Sequence, residues 1–151
     1  MSQSYVLDTN VLLALIRGKE LGRSIDEAYG LRANLQRHVV SIFSQAELWV
    51  LADTNSWSDA KRDAIRWMFE NLVVLPVDGQ DLIDAYVQVS RADADWWEGA
   101  RNMGKNDIWI AATALQTGLP LLTTDKDFRF LNGGLIEVFW IDPDQKKHLV
   151  N

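Results

Sequence analysis

The chain contains no cysteine, only three prolines and two histidines. It also has no apolar run approaching the roughly 20 residues that a membrane-spanning helix needs. The absence of cysteine excludes disulfides, zinc–thiolate sites, iron–sulfur clusters and cysteine nucleophiles, so any catalysis must use oxygen or nitrogen atoms. Residues 1–4 lack the basic segment of a secretory signal, so we expect a cytoplasmic protein that does not bind a membrane.

The composition is that of a globular protein, with 151 residues of which 48% are apolar and 24% charged. No repeat, low-complexity stretch or linker interrupts it, so residues 1–151 are predicted to form a single domain. The 21 acidic side chains outnumber the 15 basic ones, which argues against a nucleic-acid partner. If four of the 21 held divalent cations, however, 17 acids would face 15 bases and the metal charge would locally reverse the sign.

Short apolar runs alternate with segments of helical periodicity. The predicted strands cover residues 5–7, 39–42, 73–77, 119–122 and 136–140. The predicted helices cover residues 11–17, 25–36, 46–52, 58–71, 81–99 and 108–118. Strands that are apolar throughout need cover on both faces, which right-handed helical crossovers provide. We therefore predict an α/β fold, a three-layer α/β/α sandwich around a mainly parallel five-stranded sheet.

Acidic residues follow the predicted strands. Asp8 comes directly after the first strand, Glu47 lies early in the helix after the second, and Asp125 follows the fourth. Asp107 opens the helix predicted over 108–118, whose small residues would let it pack close to the sheet. Because ligands of such sheets bind beyond the carboxyl ends of the strands, we expect these four carboxylates to converge there.

Each acid also has a purely structural interpretation. Ser44-x-x-Glu47 has the pattern of a capping box, and Asp8, Asp107 and Asp125 could each cap a helix. If the four acids converge, a metal site is the better interpretation, because neighbouring carboxylates repel one another and raise each other's pKa unless a cation lies between them. Oxygen ligands without cysteine or nearby histidine suit Mg²⁺ or Mn²⁺ better than zinc.

At these residues the sequence resembles the PIN-domain family, and within it the VapC-type toxins of bacterial and archaeal toxin–antitoxin pairs. The order and spacing of four motifs carry the resemblance, because together they are more specific than any one motif. The motifs are Leu7-Asp8-Thr9-Asn10, Ser44-x-x-Glu47, Asp107-x-x-Ile110-Ala111-Ala112-Thr113-Ala114 and Leu122-Thr123-Thr124-Asp125-x-Asp127-Phe128.

The resemblance implies a Mg²⁺- or Mn²⁺-dependent endoribonuclease. The carboxylates that would hold the metal and position the attacking water are Asp8, Glu47, Asp107 and Asp125. Asp127 would assist through water, and Asn10 and Thr123 would orient the acids or the scissile phosphate by hydrogen bonding. The resemblance also implies a homodimer, inhibition by a small VapB-like antitoxin, and structured RNA such as tRNA or ribosomal RNA as the substrate.

Further side chains are candidates for partner contacts. By the resemblance, the residues in the region where the antitoxin docks are Trp49, Trp57 and Trp67. The basic residues close to the acidic motifs, and so candidates for phosphate contact, are Lys105, Lys126 and Arg129. Residues 81–104 depart from the family pattern and carry the adjacent Trp96 and Trp97. On a helix these two indoles would point about 100° apart and could not share one narrow core stripe.

Other functions stay open on the sequence alone. A phosphatase of the haloacid dehalogenase class would need a second aspartate where Asn10 stands, and a receiver domain would use Asp78 after the third strand. A metal-free ribonuclease would use His38 and His148 as base and acid, and would leave a cyclic phosphate. The principal alternative is a PIN-fold module that binds RNA or a protein without cutting it.

Overall fold

A computed structural model describes residues 3–96 and 103–144 and contains a central parallel sheet. Its strands are β1 (Val6–Leu7), β2 (Val39–Ser41), β3 (Val73–Leu75), β4 (Leu121–Thr123) and β5 (Val138–Trp140). They lie in the order β3-β2-β1-β4-β5, and each neighbouring pair is parallel. The predicted five-stranded sheet is therefore confirmed, with β1 at its centre.

Helices connect the strands. They are α1 (Thr9–Arg17), α2 (Glu20–Tyr29), α3 (Ile42–Thr54), α4 (Asp59–Asn71), α5 (Gln80–Ala94) and α6 (Lys105–Thr117). Two 3₁₀-helices, Arg32–Arg37 and Lys126–Leu131, complete the described elements. Within the described ranges, none of these helices combines the length and apolar character that crossing a membrane would require.

Both faces of the sheet are covered, which confirms the three-layer prediction. Successive residues of a strand point to opposite faces, and β1 shows this directly. Leu7 packs in a buried cluster with residues of α1, α2, α3 and α4, whereas Val6 packs in a second cluster with residues of α5 and α6. The two clusters together hold the central strands in place, and so fix the positions of the residues at their carboxyl ends.

The prediction of one helix over residues 25–36 is wrong. The α2 helix ends at Tyr29 because Gly30 follows it with φ at 61°, a left-handed conformation that favours glycine and ends helices. A 3₁₀-helix then begins at Arg32. Leu31 and Leu35 are both buried, so their spacing continues the apolar pattern past the point where the helix stops.

The helix predicted over residues 81–99 is also too long at its end. The α5 helix stops at Ala94, with Asp95 as its C-cap. Trp96 therefore follows the helix, and the predicted angle between Trp96 and Trp97 involves a residue that the structure does not describe. Trp97 itself lies outside the described residues.

Candidate active site

Asp8 is the central acid of the carboxyl edge of the sheet. It follows β1, caps α1, and is only 3% exposed. Its Oδ1 accepts a hydrogen bond from the Thr9 amide at 2.8 Å, and its Oδ2 accepts one from the Thr123 hydroxyl at 2.7 Å. Thr123 is the last residue of the neighbouring strand β4, so the parallel pairing of β1 and β4 brings the two side chains together.

Asp125 reaches the same edge from β4. Its amide donates to the Thr123 hydroxyl at 2.9 Å, so Thr123 connects Asp8 with the backbone of Asp125. The Asp125 side chain caps the second 3₁₀-helix, where its Oδ1 accepts from the Asp127 amide at 2.9 Å. The structural interpretation of Asp8 and Asp125 as caps is thus correct, but capping does not account for their proximity.

Glu47 approaches from α3, and the capping-box interpretation of Ser44 and Glu47 is wrong. The α3 helix begins earlier, at Ile42, with Ser41 as its N-cap. Ser44 is therefore inside the helix and fully buried. The Thr9 hydroxyl donates to Glu47 Oε1 at 3.0 Å and lies 2.9 Å from Ser44 Oγ. Glu47 is held toward Asp8 by the residue that follows Asp8 in the chain.

Asp107 approaches from the first turn of α6. This helix begins at Lys105, two residues before Asp107, with Gly104 as its N-cap. The expected close packing of the helix is present, since Ala111 and Ala114 are buried in the cluster that includes β1 and β4. Asp107 is half-buried and faces the other acids, as its electrostatics show.

Burial and mutual repulsion together raise the pKa of two of these acids. The pKa of Asp8 is raised to about 7, through burial first and then through repulsion from Asp107 and Asp125, against hydrogen bonds from Thr123 and Thr9 that lower it. The pKa of Asp107 rises to about 6, through burial first and then through repulsion from three acids. Those three acids are Asp125, Glu47 and Asp127. The convergence expected from the strand ends is therefore present in the structure.

The donor set suits a hydrated cation better than an all-protein cage. Within residues 3–96 and 103–144, no three Asp, Glu or His side chains are already arranged to hold one ion directly. Both oxygens of Asp8 are hydrogen-bonded, and Glu47 is bonded to Thr9. Mg²⁺ commonly keeps several waters and binds through one or two carboxylates, so clustered, mutually repelling oxygen donors fit its chemistry.

Asn10 is close to Asp8 in the sequence. It is exposed on the first turn of α1, two residues after Asp8. Together with Thr124 and Arg17 it lines a cavity of about 570 Å³, and none of the four acids contributes to that lining. The resemblance implies that Asn10 and Thr123 both orient the acids or the scissile phosphate. Of the two, Asn10 is exposed and Thr123 is fully buried.

Two polar contributors were missed by the sequence analysis. Thr9 supports Glu47, and Ser44 supports Thr9. Thr9 belongs to the first motif, which is the only sequence feature that pointed to it. Its role depends on α1 packing against α3, and no local pattern encodes that contact.

His38 does not form part of this site. His38 precedes β2 and lies at the opposite end of the strands, where its Nδ1 accepts from the Tyr5 amide at 3.2 Å. Burial, and secondarily Arg37, lowers the pKa of His38. His148 lies outside the described residues. Asp78 is exposed after β3 and is not among the described charges that raise the pKa of Asp8 or Asp107.

The three tryptophans singled out as partner candidates lie on or between α3 and α4. Trp49 is half-buried with the Arg66 guanidinium 5.4 Å from its ring centre, and Trp57 is half-buried with Lys61 at 5.1 Å. Trp67 is 47% exposed. All three therefore belong to one helical hairpin on the side of the sheet that α5 and α6 do not cover.

Comparison with known proteins agrees with this fold and identifies the family. Residues 5–133 match the PIN domain, and the chain belongs to the PIN-domain family. Over 128 residues it is 34% identical to ribonuclease VapC5 of Mycobacterium tuberculosis, covering 85% of this chain and 87% of that protein.

Solved structures of toxin–antitoxin systems share the fold. VapBC-5 of Mycobacterium tuberculosis aligns with 26% identity and a TM-score of 0.61, over 91% of this chain and 98% of that one. VapBC2 of Rickettsia felis, bound to a DNA fragment from its promoter, aligns with 16% identity and a TM-score of 0.70, also over 91% and 98%.

Proposed function

We propose that the single domain predicted over residues 1–151 is a divalent-metal-dependent endoribonuclease and the toxin of a toxin–antitoxin pair. The similarity to ribonuclease VapC5 supports the ribonuclease, and the similarity to VapBC systems supports the toxin. One observation carries the chemistry: Asp8 is buried beside the like-charged Asp107 and Asp125, without a described cationic side chain in ion-pair contact with any of them. Such an arrangement is costly unless a cation is bound there.

The residues proposed to hold Mg²⁺ or Mn²⁺ are Asp8, Glu47, Asp107 and Asp125. Asp127, exposed in the first turn of the second 3₁₀-helix, is proposed to act through water. When bound, the cation would supply positive charge for the phosphodiester and lower the pKa of the attacking water. Hydrolysis by that water would leave a 5′-phosphate, unlike a histidine mechanism.

The remaining site residues are proposed to orient these acids and the substrate. Thr123 keeps Asp8 and Asp125 at a fixed separation, because its hydroxyl donates to one and accepts from the amide of the other. Thr9 connects Asp8 with Glu47, because its amide donates to Asp8 and its hydroxyl donates to Glu47. Asn10, exposed two residues after Asp8, offers an amide that can donate to a phosphate oxygen.

The proposed partners are RNA, a VapB-like antitoxin and a second copy of this chain. The similarity to VapBC systems favours the antitoxin, and the hairpin of α3 and α4 with Trp49, Trp57 and Trp67 is the proposed docking region. Aromatic side chains that are partly exposed suit such a surface. Structured RNA, either tRNA or ribosomal RNA, is the proposed substrate.

Cleavage of total tRNA and ribosomal RNA by the purified protein tests this function. We expect discrete fragments with 5′-phosphate ends in Mg²⁺ or Mn²⁺, and none in EDTA. The Asp107→Asn variant, purified identically, should be inactive. Equal inactivity of both proteins under every metal, with any antitoxin removed, would instead support a binding module without catalysis. Cyclic phosphate ends that persist in EDTA would refute the metal mechanism.

A further inference from the structure

The second 3₁₀-helix, Lys126–Leu131, presents a basic edge beside the acidic site. In a 3₁₀-helix, side chains three residues apart lie above one another. Phe128 and Leu131 form the buried edge, and Lys126 and Arg129 form an exposed one. Because this helix begins directly after Asp125, its basic edge starts one residue from a proposed metal ligand.

Arg129 is positioned by an aromatic contact with the sheet. Its guanidinium carbon lies 4.6 Å from the centre of the Trp140 ring, on β5. The Trp140 Nε1 donates to the carbonyl of Thr124 at 3.1 Å, which fixes that ring against the residue preceding Asp125. Arg129 is thus held close to the site, and neither of the two ion pairs found among the described residues involves it or Lys126.

An aromatic pair completes a shallow cavity. Trp96 and Phe130 have ring centres 5.1 Å apart and planes tilted by 55°. With Lys126 and Arg129 they line a cavity of about 370 Å³. Two cationic side chains and two half-buried rings around one open cavity offer both a phosphate contact and a face for a base.

The acidic site itself creates the need for such a cavity. An RNA strand carries one negative charge per nucleotide, so the carboxylates repel every phosphate except the one that a bound cation engages. Cations beside the site must therefore hold the flanking phosphates. Lys126 and Arg129 are the basic residues that the fold places next to Asp125, with a stacking surface beside them.

We propose that the cavity of Trp96, Lys126, Arg129 and Phe130 binds a single-stranded nucleotide of the RNA next to the cleaved bond. This inference rests on the proposed function. Lys126 and Arg129 contact the phosphate of that nucleotide, and the aromatic pair contacts its base. The ligand class is an unpaired RNA segment, since a base held within a helix cannot present its face to an aromatic ring.

The electrostatic part of this proposal is tested by RNA binding without turnover. The probe is a short fluorescent oligouridylate titrated with the full chain in EDTA at several salt concentrations. We expect Arg129→Gln and Lys126→Gln each to weaken binding and to make the slope of log K against log salt less steep by about 0.7, the value for one phosphate contact on a single strand. Both side chains are exposed, so folding should be unaffected.

Arg66→Gln is the matched control. Arg66 also contacts a tryptophan ring, at 5.4 Å, but it lies on α4, which contributes no acid to the site. The Arg66→Gln variant removes the same charge and a similar ring contact, together with an exposed ion pair to Asp63 at 2.8 Å. It should leave the affinity and the salt slope of RNA binding nearly unchanged. A loss equal to that of Arg129→Gln would mean that only overall charge matters, and would overturn the proposal.

The aromatic part has its own pair of variants. Trp96→Leu should weaken oligouridylate binding by roughly 5- to 150-fold, the range for losing one base–aromatic stack. Trp96→Phe should retain most of the affinity because it keeps an aromatic face. If Trp96→Leu fails to fold, Phe130→Leu is the second variant, because it removes the other ring of the pair and should also weaken oligouridylate binding. Unchanged affinity in a folded Trp96→Leu or Phe130→Leu would overturn the aromatic part.

The outcomes separate this inference from the proposed function. If the wild type cleaves RNA with metal but Arg129→Gln binds oligouridylate as the wild type does, the inference fails and the nuclease stands. If the predicted binding pattern is found without cleavage under any metal, the cavity stands and the nuclease fails. A wild type that neither binds nor cleaves overturns both.

Discussion

The two ends of β1 both bury polar side chains, but they do so in opposite ways. At the amino end, the Tyr5 amide donates to His38 Nδ1, and the two rings lie stacked with centres 5.9 Å apart. At the carboxyl end, Asp8 lies near Asp107 and Asp125 and is repelled by both. One end pairs a donor with an acceptor, whereas the other collects groups of the same charge.

The difference separates a structural polar contact from a functional one. Burial lowers the pKa of His38, so the neutral ring that accepts the Tyr5 hydrogen bond is the form favoured by folding. Burial and repulsion raise the pKa of Asp8 to about 7, so its ionised form is disfavoured in the absence of a cation. Buried carboxylates that repel one another, with no cationic side chain to offset the repulsion, are typical of functional sites. The following predictions test this contrast, from the largest expected effect to the smallest.

Asp107→Asn should reduce metal-dependent RNA cleavage by at least about 100-fold, the scale of removing one group that stabilises charge in an active site. Asp81→Asn is the matched control, because Asp81 is an exposed acid in the first turn of α5, whose N-cap is also a glycine. Rates measured under identical conditions check the prediction. Asp81→Asn should cost only the helix-terminus interaction, about 0.3–1 kcal/mol of stability. Equal loss of activity in both variants would contradict the assignment.

Metal should stabilise the protein in a pH-dependent way. The pKa of Asp8 is raised from 3.8 to about 7 on folding, so the folded state binds this proton more tightly than the unfolded chain. Without metal, Asp8 therefore lowers the free energy of unfolding progressively as pH rises from about 4 to 7, by about 2–4 kcal/mol. A cation should relieve this cost at pH 7.5, where the carboxylates are ionised, and much less at pH 5.

Thermal unfolding with Mg²⁺ or EDTA at the two pH values measures this effect. At about 100 times its dissociation constant the cation should add about 2.7 kcal/mol, which corresponds to about 5–10 °C in Tm for a chain of this size. The gain at pH 5 should be small because Asp8 and Asp107 are largely protonated there. Equal gains at both pH values would show that the cation binds elsewhere.

Thr123→Val should lower activity or metal affinity by about 10–100-fold, the usual cost of losing a side chain that orients a metal ligand. The change keeps the shape but removes the hydroxyl that connects Asp8 with the Asp125 amide. Thr113→Val is the control, since Thr113 is also buried but donates only to a carbonyl of its own helix, that of Trp109. Metal titrations of the two variants compare them. Similar losses would refute the specific role of Thr123.

His38→Leu should affect stability and not activity. It leaves the buried Tyr5 amide without an acceptor, which costs about 1–3 kcal/mol. His38→Gln, whose side-chain oxygen can accept the same bond, should lose less. Denaturant unfolding gives the stabilities, and RNA cleavage well below the Tm gives the activity. A loss of cleavage in His38→Leu without a matching loss of stability would instead support the metal-free histidine mechanism.

Much of the fold was predictable because parallel strands covered on both faces are apolar throughout. Their ends were displaced by one or two residues, as for β4, which occupies 121–123 and not 119–122. The helix predicted over 25–36 failed because apolar spacing continues through Leu31 and Leu35, while backbone conformation at Gly30 ends α2. Periodicity reports burial, and it does not report where the backbone changes conformation.

The site was predictable only in part for a similar reason. Asp8 and Asp125 follow strands directly, so the rule for ligand positions in parallel sheets locates them. Glu47 was predicted at the correct edge, but its local pattern suggested a cap at Ser44, because the true N-cap, Ser41, lay within the predicted strand. The contact of Thr9 with Glu47 and the pKa shifts depend on distances between elements, which a linear pattern does not contain.

The most direct test of the central claim, that these acids converge to hold a cation, is a calorimetric Mn²⁺ titration in buffers of different ionisation enthalpy. A metal displaces protons from its ligands. With pKa values of about 7 for Asp8 and about 6 for Asp107, binding at pH 6.5 should release about one proton per ion, and binding at pH 8.5 almost none. Asp107→Asn should bind far more weakly. Absence of binding in the wild type, or unchanged binding in Asp107→Asn, would contradict the claim.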